Sequence, residues 1–260
     1  MSQELIDKGL DEEIEAAKRE LAAAVENLVT EDDEPVDNLL SAKQQRLLVE
    51  PLYSSWTPPP AEGASDARRI FLADANVGLF ISPYKPPLVP DMFLSLDVKP
   101  HKDWHDKQHR SYFFWQFGKP PEVAVEIVSN RKGHELGTKL HDYAQFGIGH
   151  YIVYDPFHRL SEQTLYTFKL DGERYKESKI EDLASVGLSL MLWTGEFEME
   201  TGEWLRWCDA HGNLIPTGAE RARREAERAD REAQRADRET QRAEKMAAKL
   251  RDMGVDPEAL

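Results

Sequence analysis

Two carboxylates and one ammonium group, those of Asp91, Glu126 and Lys139, are the candidate reactive groups of this sequence. Asp91 follows a proline at the start of an apolar run, Glu126 lies inside the run VAVEIV, and Lys139 lies on the segment after it. Hard divalent cations prefer carboxylate ligands, and an ammonium group beside them can position or polarise a water molecule. If the fold brings the three together, they could support metal-dependent hydrolysis of a phosphodiester.

Glu126 is the most informative of the three because it is a charged residue in a nearly continuous apolar run. Residues 123–128 are typical of a central strand covered on both faces, and strand alternation places Glu126 on the face of Ala124 and Val128. An unpaired buried carboxylate is costly. We therefore expect Glu126 to be protonated, paired with a cation or bound to a metal.

The strands and the helix around these residues are predicted to form an α/β domain. Residues 92–98 and 150–154 are predicted strands, and the helical spacing over 136–146 predicts a helix that stops at Gly147. Strand, helix and strand in this order require a crossover, so the strands at 123–128 and 150–154 should be parallel neighbours. The remaining predictions are hairpins of 69–72 with 77–81 and of 164–169 with 174–178, strands at 188–193 and 204–207, and a strand-like segment at 112–117.

Composition divides the chain into three predicted regions, residues 1–60, 61–215 and 216–260. The first is acidic and partly helical, with 5 basic and 14 acidic residues, and the Pro-rich stretch 56–63 marks its end. The central region has 17 basic and 23 acidic residues, in a chain of net charge −15. This mild acidity is compatible with a carboxylate metal site. It gives no support for binding nucleic acid, which depends on Lys and Arg.

The last region repeats every seven residues, with the units ERARREA, ERADREA and QRADRET. Its alanines fall at alternating spacings of three and four, as in a coiled-coil seam flanked by charges. Two interpretations stay open. One is a weakly associating coiled coil, and the other is a single solvated helix held by ion pairs between residues four apart.

The single cysteine, Cys208, excludes an internal disulfide framework and a thiolate metal cage. The acidic N-terminus lacks the pattern of a signal peptide, and no stretch approaches the ~20 apolar residues of a membrane span. We therefore expect a cytoplasmic protein with no membrane association and no organic cofactor.

Five segments in their order along the chain resemble the Uma-type family of restriction endonucleases, within the PD-(D/E)XK nuclease superfamily. The segments are Pro90-Asp91, PPEVAVEIVS at 120–129, Glu135-x-x-x-Lys139-x-x-x-Tyr143, Phe146-Gly147-Ile148 and YIVYDP at 151–156. The resemblance covers roughly residues 69–170. It implies a restriction-endonuclease-like core, in which helices flank a mixed central sheet, between the acidic N-terminal segment and the C-terminal heptad helix.

The resemblance also implies Mg²⁺, with Mn²⁺ as a substitute, held by Asp91 and Glu126 with the backbone carbonyl of Ile127 as a further ligand. It implies hydrolysis of DNA by an attacking water molecule, in a homodimer whose two sites address two strands. The superfamily pattern has a lysine two residues after the glutamate, where this chain has Val128, and Lys139 is the natural substitute. The usual opening helix with its glutamate is not recognisable, so no third acidic ligand is assigned.

Each candidate residue also has a structural interpretation. Asp91 could cap a turn, Glu126 could form an ion pair with Lys139 that needs no metal, and Lys139 could instead be a surface residue paired with Glu135. Tyr143 is typical of a core residue. On these interpretations the chain is a catalytically inactive nuclease fold that acts as a binding or scaffold module through its C-terminal helix.

A zinc site is a third hypothesis. His101, His105 and His109 are spaced by four residues and would share one face of a helix, with Asp103 and Asp106 beside them. The strand-like segment that follows favours a solvated loop over such a helix.

Overall fold

The computed structural model describes residues 13–21, 23–24, 38–60, 69–100, 103, 105–129 and 134–252. It comprises two units, Met1–Ile215 and Pro216–Leu260. In the acidic N-terminal segment, residues 13–21 are helical, and most of the rest as far as residue 37 lies outside the described residues.

The described part of the first unit contains both strands and helices, and one long helix forms most of the second. The strands are β1 (Phe71–Asp74), β2 (Leu79–Phe80), β3 (Met92–Leu96), β4 (Tyr112–Phe113), β5 (Val123–Ile127), β6 (His150–Tyr154), β7 (Leu165–Asp171), β8 (Arg174–Glu177), β9 (Leu188–Phe197) and β10 (Glu200–Asp209). The helices after residue 37 are α1 (Leu39–Ser55), α2 (Phe114–Phe117), α3 (Thr138–Gln145) and α4 (Gly218–Asp252).

A mixed six-stranded sheet of order β1-β3-β5-β6-β7-β8 forms the centre of the first unit. The strands β5 and β6 are parallel neighbours, as the sequence predicts, with α3 as their crossover. The other pairs in this sheet are antiparallel. Gly147 adopts a φ of 76° just after α3, so its left-handed conformation ends the helix where the sequence predicts. The α/β class with a central mixed sheet flanked by helices is thereby confirmed.

Two local predictions are wrong. The segments 69–72 and 77–81 do not pair with each other, because β1 pairs antiparallel with β3 and β2 pairs in parallel with β4. Pairing with β3 places β1 beside a fully buried strand, which a local hairpin would not do. The segment 112–117 is not one strand either, since β4 ends after two residues and α2 follows directly, closed by Gly118 at φ 76°.

The two faces of the sheet carry separate apolar cores. One face packs against α1 and the β9–β10 hairpin, through residues that include Leu48, Leu52, Val125, Leu205 and Trp207. The other face packs against α3 and the β2–β4 pair, through residues that include Leu79, Ala124, Val128, Tyr143 and Tyr151. Helix α1 belongs to the first core, so the packed unit begins upstream of residue 61. The domain boundary at residue 60 stays a prediction from the sequence.

Helix α4 begins with a reciprocal cap. The Glu220 backbone N–H donates to Thr217 Oγ1, and the Thr217 backbone N–H donates to Glu220 Oε2. Ion pairs four residues apart follow along the helix, among them Arg228 with Glu232 and Arg235 with Glu239. The helix itself is therefore observed, and its pairing with a second copy stays a prediction. Among the helices that the structure describes, none has the length and apolar character to cross a membrane.

Candidate active site

The Glu126 side chain is buried, 3% exposed, in the middle of β5. It lies on the face that packs against α3, and two side chains of that helix meet it. Lys139 Nζ donates to Glu126 Oε2 at 2.9 Å, and the Tyr143 hydroxyl donates to Glu126 Oε1 at 2.6 Å. Lys139 and Tyr143 are four residues apart, so one face of α3 presents both to the sheet. The expectation that Glu126 would find a cation is met by Lys139.

Asp91 lies beside Glu126 because of the register of two antiparallel strands. Met92 of β3 pairs with Val125 of β5, so the residue before Met92 lies opposite the residue after Val125. The Ile127 backbone N–H donates to Asp91 Oδ2 at 2.6 Å. Asp91 is buried, 6% exposed, and its carboxylate bonds the backbone of strand β5.

Gln45 supplies a second donor to Asp91 from helix α1. Its Nε2 donates to Asp91 Oδ1 at 2.7 Å. Its Oε1 accepts a hydrogen bond from Asn76 Nδ2 at 3.1 Å, in the turn after β1 where Asn76 adopts a φ of 55°. Gln45 Nε2 also lies 3.2 Å from Asn76 Oδ1, so the two amides bond reciprocally, and the Asp91 carboxylate, which only accepts, selects the Nε2 end of Gln45. Sequence reasoning missed Gln45, since a neutral amide in a helix gives no signal of a site.

Glu135 is a third carboxylate near the pair. It lies in the turn before α3, is 5% exposed, and its Oε1 is 3.8 Å from Lys139 Nζ. Its Oε2 is buried without a hydrogen-bond partner among the described residues. The sequence pattern Glu135-x-x-x-Lys139 predicts the contact with Lys139 but gives no sign that the carboxylate is buried.

Burial and charge act in opposite directions on these groups. Burial raises the pKa of Glu126, although Lys139 and the Tyr143 hydroxyl act to lower it. Burial alone would lower the pKa of Lys139, but the negative charges of Glu126, Glu135 and Asp91 outweigh it, so this pKa is above its usual value. Burial also raises the pKa of Tyr143 well above the usual range, so its hydroxyl stays a proton donor.

The donor set suits a hard divalent cation. Asp91, Glu126 and the carbonyl of Ile127 offer only oxygen, and carboxylate oxygens that accept one hydrogen bond retain a second lone pair. Within the described ranges, no group of three or more His, Cys, Asp and Glu residues is arranged to enclose a metal. A cation here would therefore rely on two carboxylates and on solvent, as magnesium sites commonly do.

In the described part of the histidine segment, His105 and His109 do not share the helix that the zinc hypothesis requires. His101 lies outside the described residues. The only regular structure near His105 and His109 is a 3₁₀ turn over Lys107–His109, in the part of this segment that the structure describes. His109 Nδ1 instead lies 2.7 Å from the backbone carbonyl oxygen of Asp103.

Comparison with models of protein families identifies the family of this chain. The model described as "Uma2: Putative restriction endonuclease" matches residues 15–199, more than half of the chain. The chain belongs to the Uma2 family. The Uma2 match includes Gln45, Asp91, Glu126, Glu135 and Lys139, and it ends upstream of helix α4. The resemblance stated from the sequence is confirmed, and the family description is that of a nuclease. No curated protein matches the chain.

Proposed function

We propose that this chain is a Mg²⁺-dependent endonuclease of the PD-(D/E)XK type that hydrolyses phosphodiester bonds of DNA. The observation that carries the proposal is the meeting of Asp91, Glu126 and Lys139 in one buried site. Membership of the Uma2 family supports the same reaction class and a DNA substrate. Neither the acidity of the chain nor its fold alone would point there.

In this proposal Asp91 and Glu126 hold the cation, with the carbonyl of Ile127 as a further ligand. When bound there, such a cation would supply Lewis-acid polarisation of the phosphate and activation of the attacking water. Asp91 is kept in position by its bonds from Ile127 N–H and Gln45, so its lone pairs are oriented before the substrate arrives. Mn²⁺ offers similar ligand preferences and serves as a probe.

Lys139 takes the role of the lysine that is absent at Val128. The Val128 side chain is fully buried in the core under α3. A lysine at this position would therefore hold its ammonium group away from solvent. Lys139 reaches the same carboxylate from the helix and is one third exposed, so its ammonium lies at the rim of the site. There it orients the attacking water and stabilises the negative charge that develops on the phosphate as the bond to the leaving oxygen breaks.

The experiment is cleavage of supercoiled plasmid by the purified full-length chain with Mg²⁺ or Mn²⁺. The wild type should nick the plasmid, and EDTA should stop it. Glu126→Gln and Asp91→Asn should each lower the rate by at least about 100-fold. Glu162→Gln, which removes an exposed carboxylate, should have no effect. Equal rates for the wild type and Glu126→Gln would contradict the proposal.

A catalytically inactive scaffold is the second candidate, and one observation favours it. Both oxygens of Glu126 already accept hydrogen bonds from Lys139 and Tyr143, so the site is satisfied without a cation. Isothermal titration calorimetry separates the two. Heat of Mn²⁺ binding that is lost in Glu126→Gln supports the nuclease, and no uptake by the folded wild type supports the scaffold.

We further propose that two copies associate through the alanine seam of α4, so that two sites can address two DNA strands. The support is the heptad spacing of alanines on a 35-residue helix. Light scattering should give a dimer for the full chain and a monomer for a variant that ends at Ile215. A full-length monomer would favour the single solvated helix.

A further inference from the structure

The Glu135 carboxylate is buried with one oxygen unsatisfied among the described residues, and the fold gives no reason for this. The residue is 95% buried, yet its Oε2 has no hydrogen-bond partner among the described residues. Native proteins rarely bury a carboxylate oxygen without a donor, and those that do commonly use the group in function. The backbone at this position is held, because the Tyr151 hydroxyl donates to the Glu135 carbonyl at 3.1 Å.

The nearest cation to Glu135 in the described structure is already engaged elsewhere. Lys139 Nζ lies 2.9 Å from Glu126 Oε2 and 3.8 Å from Glu135 Oε1. The ammonium therefore sits between two carboxylates and bonds closely to only one. Its stem has four rotatable bonds, and the side chain is one third exposed, so a small rotation can exchange the partners.

A divalent cation on Glu126 would compete with Lys139 for the same oxygen. Two positive groups on one carboxylate repel each other strongly in a site that is largely closed to water. The ammonium then needs another acceptor, because burial of an unpaired charge is costly. Glu135 is that acceptor, since its Oε1 lies 3.8 Å from the ammonium and its buried Oε2 has no donor among the described residues.

We propose that Glu135 is the second acceptor of the Lys139 ammonium, and that Lys139 moves from Glu126 to Glu135 when Glu126 takes up a divalent cation. This rests on the proposed function. Glu135 is then a positioning residue that acts through Lys139, and it keeps the ammonium charged and beside the reacting phosphate instead of on the metal ligand.

Mn²⁺ titration calorimetry on full-length variants tests this inference. Glu135→Gln keeps the shape and removes the charge, and it should weaken Mn²⁺ binding by about 10-fold or more, because Lys139 then stays on Glu126. Glu135→Asp should recover part of the affinity. Glu162→Gln removes an exposed charge and should bind as the wild type does. Thermal unfolding confirms that each variant is folded.

The decisive experiment measures the Mn²⁺ affinity of Glu135→Gln again in a protein that also carries Lys139→Met. If Glu135 acts through Lys139, adding Glu135→Gln to Lys139→Met should change the affinity less than about 2-fold. A loss of about 10-fold in the Lys139→Met protein would overturn the inference and make Glu135 a direct ligand. Unchanged Mn²⁺ affinity of Glu135→Gln in the otherwise wild-type chain would also overturn it. Absence of Mn²⁺ binding by the wild type would instead overturn the proposed function.

Discussion

Lys139 Nζ donates to Glu126 Oε2 at 2.9 Å across the interface between α3 and the central sheet. The helix thereby delivers the ammonium group that the chain lacks at Val128, directly after strand β5. The same helix delivers the Tyr143 hydroxyl to the other oxygen of Glu126 at 2.6 Å. One helix face therefore supplies the hydrogen-bond donors of both Glu126 oxygens.

Lys139→Met separates the chemistry from the binding of the cation. Met retains much of the apolar stem and removes the charge, so plasmid nicking should fall by at least about 100-fold. Mn²⁺ uptake should persist, because the ligand oxygens remain. Lys169→Met, at an exposed position, is the matched control and should cleave normally. Normal nicking by Lys139→Met would show that the lysine only pairs with Glu126.

Tyr143→Phe should lower the stability of the metal-free protein. The change leaves Glu126 Oε1 buried without its donor, which costs about 1–3 kcal/mol in the free energy of unfolding. Urea unfolding in the presence of EDTA measures this loss in the free energy of unfolding. Tyr84→Phe removes a hydroxyl from a side chain that is 80% exposed and should change the stability little. Equal effects of the two variants would mean that the bond to Glu126 contributes nothing.

Gln45→Met should weaken Mn²⁺ binding by about 10- to 100-fold. The amide donates to Asp91 Oδ1 at 2.7 Å, and its loss removes one of the donors that orient this carboxylate. Calorimetry measures the affinity. Gln163→Met, at an exposed position, should bind Mn²⁺ as the wild type does. An unchanged affinity for Gln45→Met would restrict Gln45 to a packing role.

Asp97 gives a pH dependence of stability that is separate from the site. Hydrogen bonds from Arg69, at 2.9 and 2.6 Å, hold the pKa of Asp97 below its usual value. The stabilisation should therefore be complete above the unfolded pKa of about 3.9, and it should be lost as the pH falls through the folded pKa. The effect is small because the Asp97 side chain is half exposed.

Urea unfolding from pH 7 to pH 2.5 tests this linkage. The difference in unfolding free energy between the wild type and Asp97→Asn should be constant above about pH 5 and shrink below it. A difference that is independent of pH would show that the ion pair with Arg69 does not perturb Asp97 in solution.

The sequence predicted the strand–helix–strand unit and its buried glutamate because these are local patterns. The apolar run with one charge fixes β5 and the placement of Glu126, and Gly147 fixes the end of α3. The pairing of β1 with β3 was not predictable, because strand pairing across intervening loops depends on which edge buries more apolar surface.

The other residues of the site could not be predicted, because they are distant in sequence from Glu126 and Asp91 or are of a type that also occurs in ordinary cores. Gln45 lies 46 residues before Asp91 and is neutral, so nothing in its surroundings marks it. Tyr143 has the spacing of a core residue, and it does pack in the core while its hydroxyl bonds Glu126. The burial of Glu135 depends on the turn before α3, which has no strong sequence pattern.

Anomalous diffraction from Mn²⁺-soaked crystals would show whether Asp91 and Glu126 hold one common cation. We expect a single strong peak within about 2.0–2.6 Å of an oxygen of both carboxylates. We also expect that the Lys139 ammonium no longer bonds Glu126. A fully soaked crystal with no peak between the two residues, and with Lys139 still on Glu126, would contradict both expectations.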